Sequence, residues 1–215
     1  MKRLVLLVVV TVMAVGVAFS ADMNYGVRTG LSLASMSLDP ELDEWGPPTD
    51  DEIAVKFYAG LWIQYPLGEN MGLMAELNYV QKGDKNKITE TTDDIWFNFY
   101  GNFIELPLLF YYVPMEKMHL YAGPVFGYLL KGGYVQVVDI PDPEISQYMG
   151  YDMGEFLNRF ELSAAIGARY QFAGRYFGEL RYTLGFSNMF KEDGLFPDDL
   201  EGKTRSFSFG IGVQL

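Results

Sequence analysis

The tightest constraint on this chain is a period of two. From Arg205 to Leu215 it reads Arg-Ser-Phe-Ser-Phe-Gly-Ile-Gly-Val-Gln-Leu. Phe207, Phe209, Ile211, Val213 and Leu215 take every second position, with Ser206, Ser208, Gly210, Gly212 and Gln214 between them. A strand sends successive side chains to opposite faces, so this stretch has one apolar face and one small, polar face. A soluble sandwich would bury the apolar face in a core. A membrane barrel would turn it to lipid and line its interior with the small face.

Seven further stretches carry the same pattern. Residues 24–36 set Tyr25, Val27, Thr29, Leu31 and Leu33 against Gly26, Arg28, Gly30, Ser32 and Ala34. Residues 53–65 set Val55, Phe57, Leu61 and Ile63 against Lys56, Tyr58, Gly60 and Gln64. After a short turn at 66–70, Met71, Leu73, Leu77 and Tyr79 oppose Gly72, Met74, Glu76, Asn78 and Val80. The fourth stretch, near 96–112, opposes Ile104, Leu106, Leu108 and Phe110 to Glu105 and Pro107, a proline that argues against a strand or for a bulge. The fifth turns Leu120, Ala122, Phe126 and Tyr128 outward, and Gly123, Gly127 and Lys131 inward. The sixth alternates Phe160, Leu162, Ala164, Ile166, Ala168 and Tyr170 with Glu161, Ser163, Gly167 and Arg169. The seventh alternates Tyr176, Leu180, Tyr182 and Leu184 with Glu179, Arg181 and Thr183.

The connections alternate in length. Residues 37–52, 83–95, 133–157 and 189–203 read as long polar loops; those at 66–70, 113–118 and 173–175 are tight turns. Long loops at one end, tight turns at the other and segments of about ten to fourteen residues suit tilted membrane strands. A soluble lipocalin-like barrel is the structural rival. The expected fold is all-β: an eight-stranded antiparallel up-and-down transmembrane β-barrel, closed by pairing 205–215 with 24–36. Tyr25, Tyr65, Tyr79, Tyr112, Tyr170 and Phe172 are expected as an aromatic girdle near the turn-side strand ends.

Residues 1–20 stand apart. Lys2 and Arg3 precede an apolar run from Leu4 to Val17, with small residues Ala18 and Ser20 after it. This reads as a secretory signal peptide cleaved before Ala21, because the run is shorter than the roughly 20 residues of a spanning helix. Residues 21–215 are then the barrel domain. Without Lys2 and Arg3 the chain keeps 14 basic residues against 28 acidic ones, which excludes nucleic acid as a partner. It contains no cysteine, so neither disulfides nor thiolate chemistry are available.

Taken together, the segments resemble the PorT-like, porin-type outer-membrane β-barrel domain family, an OmpA/OmpX-like eight-stranded barrel. The resemblance is carried by Tyr25-Gly26-Val27-Arg28-Thr29-Gly30-Leu31-Ser32-Leu33 and by Ala75-Glu76-Leu77-Asn78-Tyr79-Val80-Gln81-Lys82-Gly83. Ile104-Glu105-Leu106-Pro107-Leu108-Leu109, Ala122-Gly123-Pro124-Val125-Phe126-Gly127-Tyr128 and Arg181-Tyr182-Thr183-Leu184-Gly185-Phe186-Ser187-Asn188 complete it. It implies outer-membrane residence in a Gram-negative-type bacterium. The partners it implies are outer-membrane lipid and lipopolysaccharide, periplasmic chaperones and the barrel-assembly machinery. It implies no reaction.

The inward positions carry Arg28, Lys56, Glu76, Glu105, Glu161, Arg169, Glu179 and Arg181, four acids and four bases. Eight strands leave room only for side chains, and buried charges must be paired. An interior ion-pair network is therefore expected, with Glu179 and Arg181 pairing across the hairpin to Glu161 and Arg169. A narrow conduit for small solutes or ions is the functional alternative. No catalytic, cofactor or metal constellation is recognised. His119, the one histidine, follows a short turn and reads as an interfacial residue. A membrane-embedded hydrolase using Asp198-Asp199 or Asp50-Asp51-Glu52 ranks a distant third.

The four long loops hold 21 of the 28 carboxylates by this division. They read as a solvated outer surface or as bridges to divalent cations. Trp45, Tyr148, Tyr151, Phe156, Phe190 and Phe196 are candidate exposed anchors for a protein partner. The expected role is structural or interaction-based and non-enzymatic.

Overall fold

The computed structural model describes residues 23–39, 49–88, 94–139, 146–191 and 201–215, and its regular elements are all strands. They are β1 (Asn24–Asp39), β2 (Thr49–Glu52), β3 (Ala54–Pro66), β4 (Met71–Ile88), β5 (Asp94–Met115), β6 (Met118–Asp139), β7 (Ser146–Asp152), β8 (Phe160–Ala173), β9 (Tyr176–Gly185) and β10 (Glu201–Gln214). Eight of them form a ring of antiparallel pairs in the order β1, β3, β4, β5, β6, β8, β9, β10. β1 closes it: Val27 pairs with Val213 of β10 on one side and with Leu61 of β3 on the other. The C-terminal stretch is thus the closing strand.

The period of two fixes which side chains enter. In β9 Phe177, Glu179, Arg181 and Thr183 are buried, whereas Tyr176, Leu180 and Tyr182 face out. Leu31, Leu61, Leu73, Phe110, Leu130, Ile166, Phe209 and Ile211 are among the large apolar residues 40 % exposed or more, drawn from strands all around the barrel. Such a band is untenable in water and is what lipid requires.

Tyr25, Tyr65, Tyr112, Tyr170 and Phe172 do lie at the turn end, together with Tyr176. Tyr79 does not. It is mid-strand in β4, its ring 5.6 Å from Phe57, level with Tyr128 and Phe160, whose rings are 5.2 Å apart. Eight residues separate Phe57 from Tyr65, which at strand rise and barrel tilt is about 20 Å. Two aromatic girdles about that far apart match the apolar band of an outer-membrane barrel.

The strands outrun their apolar stretches at the other end. β4 continues to Ile88, β5 begins at Asp94, β6 runs to Asp139 and β10 begins at Glu201, so much of the four expected loops is paired backbone. β2 adds to β4, with Glu52 opposite Lys85 and Asp50 opposite Lys87 in register. β7 adds to β6, with Tyr151 opposite Tyr134. Above the bilayer a ladder needs no apolar face, so the hydrophobic alternation ended before the strands did. Pro107 stays within β5 at the cost of a local gap: pairing with β4 passes from Ala75–Leu108 to Asn78–Glu105 with no pair at Pro107. A residue without an N–H cannot complete that rung.

Candidate functional site

The interior is a column of charge between two apolar caps. Its central layer joins five strands. Arg181 of β9 grips Glu76 of β4 with both guanidinium nitrogens at 2.8 Å, and its Nε donates to the Tyr121 hydroxyl at 3.2 Å. Arg28 of β1 donates to Asn78 and to Glu76 at 3.3 Å each, and also to Glu179. Arg169 of β8 donates to Glu179 at 3.0 Å and stands 3.8 Å from Glu76. All five charged groups are 5 % exposed or less. The bidentate Arg–carboxylate geometry and charge-assisted bonds hold them against a large desolvation cost.

Aromatic rings frame this layer. Arg28 lies over Tyr58 at 4.8 Å, Arg181 over Tyr121 at 4.9 Å, and Arg169 over Phe177 at 3.9 Å and Trp62 at 4.6 Å. Cation–π contacts of desolvated guanidiniums add to the ion pairs. The small inward residues leave room for these rings rather than for the charges directly. A Cβ on Gly212 would sit 2.1 Å from Phe177, and one on Gly26 2.8 Å from Trp62.

A second charged layer lies nearer the long-loop end. Lys82, 2 % exposed, bridges Glu105 and Glu161 at 2.7 Å each. Glu161 also accepts from Ser163 at 2.8 Å and Thr204 at 2.5 Å. Asp84 is buried close by, within electrostatic reach of the half-buried Lys56.

The eight expected interior charges face inward, and of the expected hairpin pairs Arg169–Glu179 forms whereas Glu161–Arg181 does not. Glu161 and Arg169 lie eight residues apart on β8 and occupy different layers. Arg169 meets its register partner Glu179, whereas Glu161 meets Lys82 and Arg181 meets Glu76 across the lumen. Lys82 and Asp84 complete the network with the inward Asn78 and were not among the expected charges. They follow from carrying the inward parity of Glu76 along β4 to Lys82 and on to Asp84, in what reads as a loop.

Above the second layer an apolar cap packs Phe103, Leu129, Met153, Leu157, Met189 and Phe190 together. Asn158 fastens it, donating to the carbonyls of Asn188 at 3.0 Å and Phe190 at 2.8 Å, beside a Leu157–Phe190 bridge. At the turn end Met74, Leu109, Tyr111, Tyr121, Val125 and Ala165 form the other cap. His119 points inward there, its ring edge-on to Tyr111 at 5.7 Å, rather than lying at the lipid interface.

Residues 18–191 of this closed, lipid-faced barrel match the family described as outer membrane protein beta-barrel domain. The chain belongs to that family.

Its place is accordingly the outer membrane, with lipid and lipopolysaccharide around the apolar band. No curated protein matches the chain. Among solved structures it is similar to Neisserial surface protein A, at 13 % identity with 91 % of this chain and 100 % of that one covered, TM-score 0.49. It is similar to Ail, the attachment invasion locus protein of Yersinia pestis, at 13 % identity, with 91 % and 100 % covered and TM-score 0.46. OprG from Pseudomonas aeruginosa shows 12 % identity, 89 % and 95 % coverage and TM-score 0.39.

On this outer-membrane barrel the candidate docking aromatics separate. Tyr151 is 46 % exposed and stacked on Tyr134 at 4.9 Å. Phe190, only 5 % exposed, and the partly buried Phe156 belong to the cap instead. Phe190 is held there by the Asn158 bonds to the Asn188 and Phe190 carbonyls, and Phe156 packs against the same cluster. Tyr148 lies on β7 with its side chain outside the described residues, as are Trp45 and Phe196 altogether. Among the described residues no group of three or more His, Cys, Asp or Glu is placed to hold a metal ion. Asp198 and Asp199 fall outside them, and Asp50, Asp51 and Glu52 form β2.

Proposed function

We propose that this protein is a sealed outer-membrane barrel of the PorT-like kind, exported through removal of residues 1–20, whose work is done at its outer rim. One observation carries this reading: two buried ion-pair layers between two apolar caps fill the lumen, while β4, β5, β6 and β7 rise beyond it as a continuous sheet. An interior committed to pairing its own charges favours a scaffold over a conduit. The rising sheet carries the exposed Tyr151 and Asp152, which together offer a surface fit for a protein partner. The role is non-enzymatic: His119 sits at the turn end between Tyr111 and Arg169, remote from the acidic rim.

The test replaces Ser146–Asp152 with a Gly/Ser linker of equal length and compares crosslinked surface partners on intact cells, alongside Tyr151→Ala. Loss of a specific partner, with heat-modifiable gel mobility retained, supports the reading. An identical partner set in both variants argues against it.

A further inference from the structure

The layer between the Arg–Glu cluster and the turn end is rich in donors and short of acceptors. Arg169 uses Nη2 on Glu179 at 3.0 Å, but its Nε and Nη1, in a residue 3 % exposed, find no hydrogen-bond acceptor among the described residues. Trp62 Nε1 and His119 Nδ1 are likewise buried without one among those residues. Gln64 turns its amide to the Met74 thioether at 3.6 Å, a weak acceptor.

These groups lie together. His119 and Arg169 are register partners across β6 and β8, and the Arg169 guanidinium carbon lies 4.6 Å from the Trp62 ring. Charge points the same way, since three guanidiniums (Arg28, Arg169, Arg181) face two carboxylates (Glu76, Glu179) in one buried cluster. Unpaired buried donors and uncompensated buried charge both destabilise a fold. One acceptor bearing negative charge relieves both.

We propose that the turn-end half of the interior binds a single small monovalent inorganic anion of the halide class. The Arg169 guanidinium holds it through a free N–H, assisted by Trp62 Nε1 and by His119 in the tautomer protonated on Nδ1. Apolar and aromatic walls from Met74, Tyr111 and Phe177 disfavour a larger, strongly hydrated oxyanion. The upper layer does not compete, because its excess is of opposite sign: Lys82 meets two carboxylates, and the buried atoms there without a hydrogen-bond partner are acceptors, Glu105 Oε1 and Glu161 Oε2. The site lies toward the turn end, where His119 is the second residue of β6.

The experiment follows thermal loss of the folded, heat-modifiable band of the full barrel in detergent micelles, exchanging sodium chloride for sodium gluconate at fixed ionic strength. The midpoint is expected to rise with chloride and saturate, bromide replacing chloride and gluconate not. Arg169→Gln, which leaves two guanidiniums for two carboxylates, is expected to abolish the chloride response. Trp62→Phe, which keeps the ring and removes one donor, is expected to raise the half-saturating chloride concentration about tenfold, as loss of one bond to a charged acceptor would. Equal wild-type midpoints in chloride and gluconate overturn the proposal, as does an unchanged chloride response in Arg169→Gln. Should Arg169→Gln not fold, an unchanged half-saturating concentration in Trp62→Phe overturns it equally.

Discussion

Glu76→Gln strikes the network where it is most connected. Glu76 receives two 2.8 Å bonds from Arg181, one of 3.3 Å from Arg28 and one of 3.0 Å from Asn78. A glutamine keeps one acceptor oxygen but turns an NH2 toward a guanidinium, so one bidentate bond becomes donor facing donor. The cluster's imbalance of one positive charge becomes two. Breaking a buried ion pair from one side costs about 3–5 kcal/mol, or about a hundred- to several-thousand-fold in the folding equilibrium. Glu161→Gln is the control: Lys82 keeps Glu105 at 2.7 Å, so the expected loss is that of one charge-assisted bond, about 1.5–3 kcal/mol. Urea titration in micelles, read by tryptophan emission and gel mobility, measures both. Adding Arg181→Gln to Glu76→Gln restores the original imbalance and should recover at least about 1 kcal/mol. A Glu76→Gln loss below about 1 kcal/mol, or below that of Glu161→Gln, would refute the argument that this layer holds the barrel shut.

Other perturbations read other parts of the structure. Ile166→Lys puts a charge on the lipid face of β8, where Ile166 is 62 % exposed; the same titration in bilayers should show a loss of about 2–4 kcal/mol. Asn158→Ala leaves two carbonyls of the cap without their donor, and is expected to expose the 187–191 segment to limited proteolysis while the transmembrane fragment stays folded. Lys117 holds a φ of 73° in the two-residue turn between β5 and β6. Lys117→Gly relieves about 1–2 kcal/mol of left-handed strain against about 0.5–1 of added unfolded-state entropy, so it should stabilise slightly; a destabilised variant would show that the Lys117 side chain contributes a contact of its own.

The transmembrane half of this fold was legible because lipid imposes a strict rule on every second residue. Gly26 to Leu33, Glu161 to Arg169 and Ser206 to Val213 each state both faces in the sequence. The upper half was not, because above the bilayer neither face must be apolar. Residues 133–139 nonetheless carry a strand signal in Tyr134-Val135-Gln136-Val137-Val138, rich in β-branched residues. The site was half legible for a related reason. Parity says which charges point inward, but pairing depends on depth in a tilted, closed sheet, and so Arg181 meets Glu76, 105 residues away. Phe190 read as exposed because an aromatic in a polar stretch has no periodicity to place it; the Asn158 bonds that fold it over the mouth are tertiary.

Single-channel recording of the purified wild-type barrel in planar bilayers asks whether its own side chains seal the lumen. A sealed lumen gives a flat baseline across applied voltages, for the wild-type barrel and for Glu161→Gln alike. Discrete, reproducible conductance steps from the folded, heat-modifiable wild-type protein would contradict it.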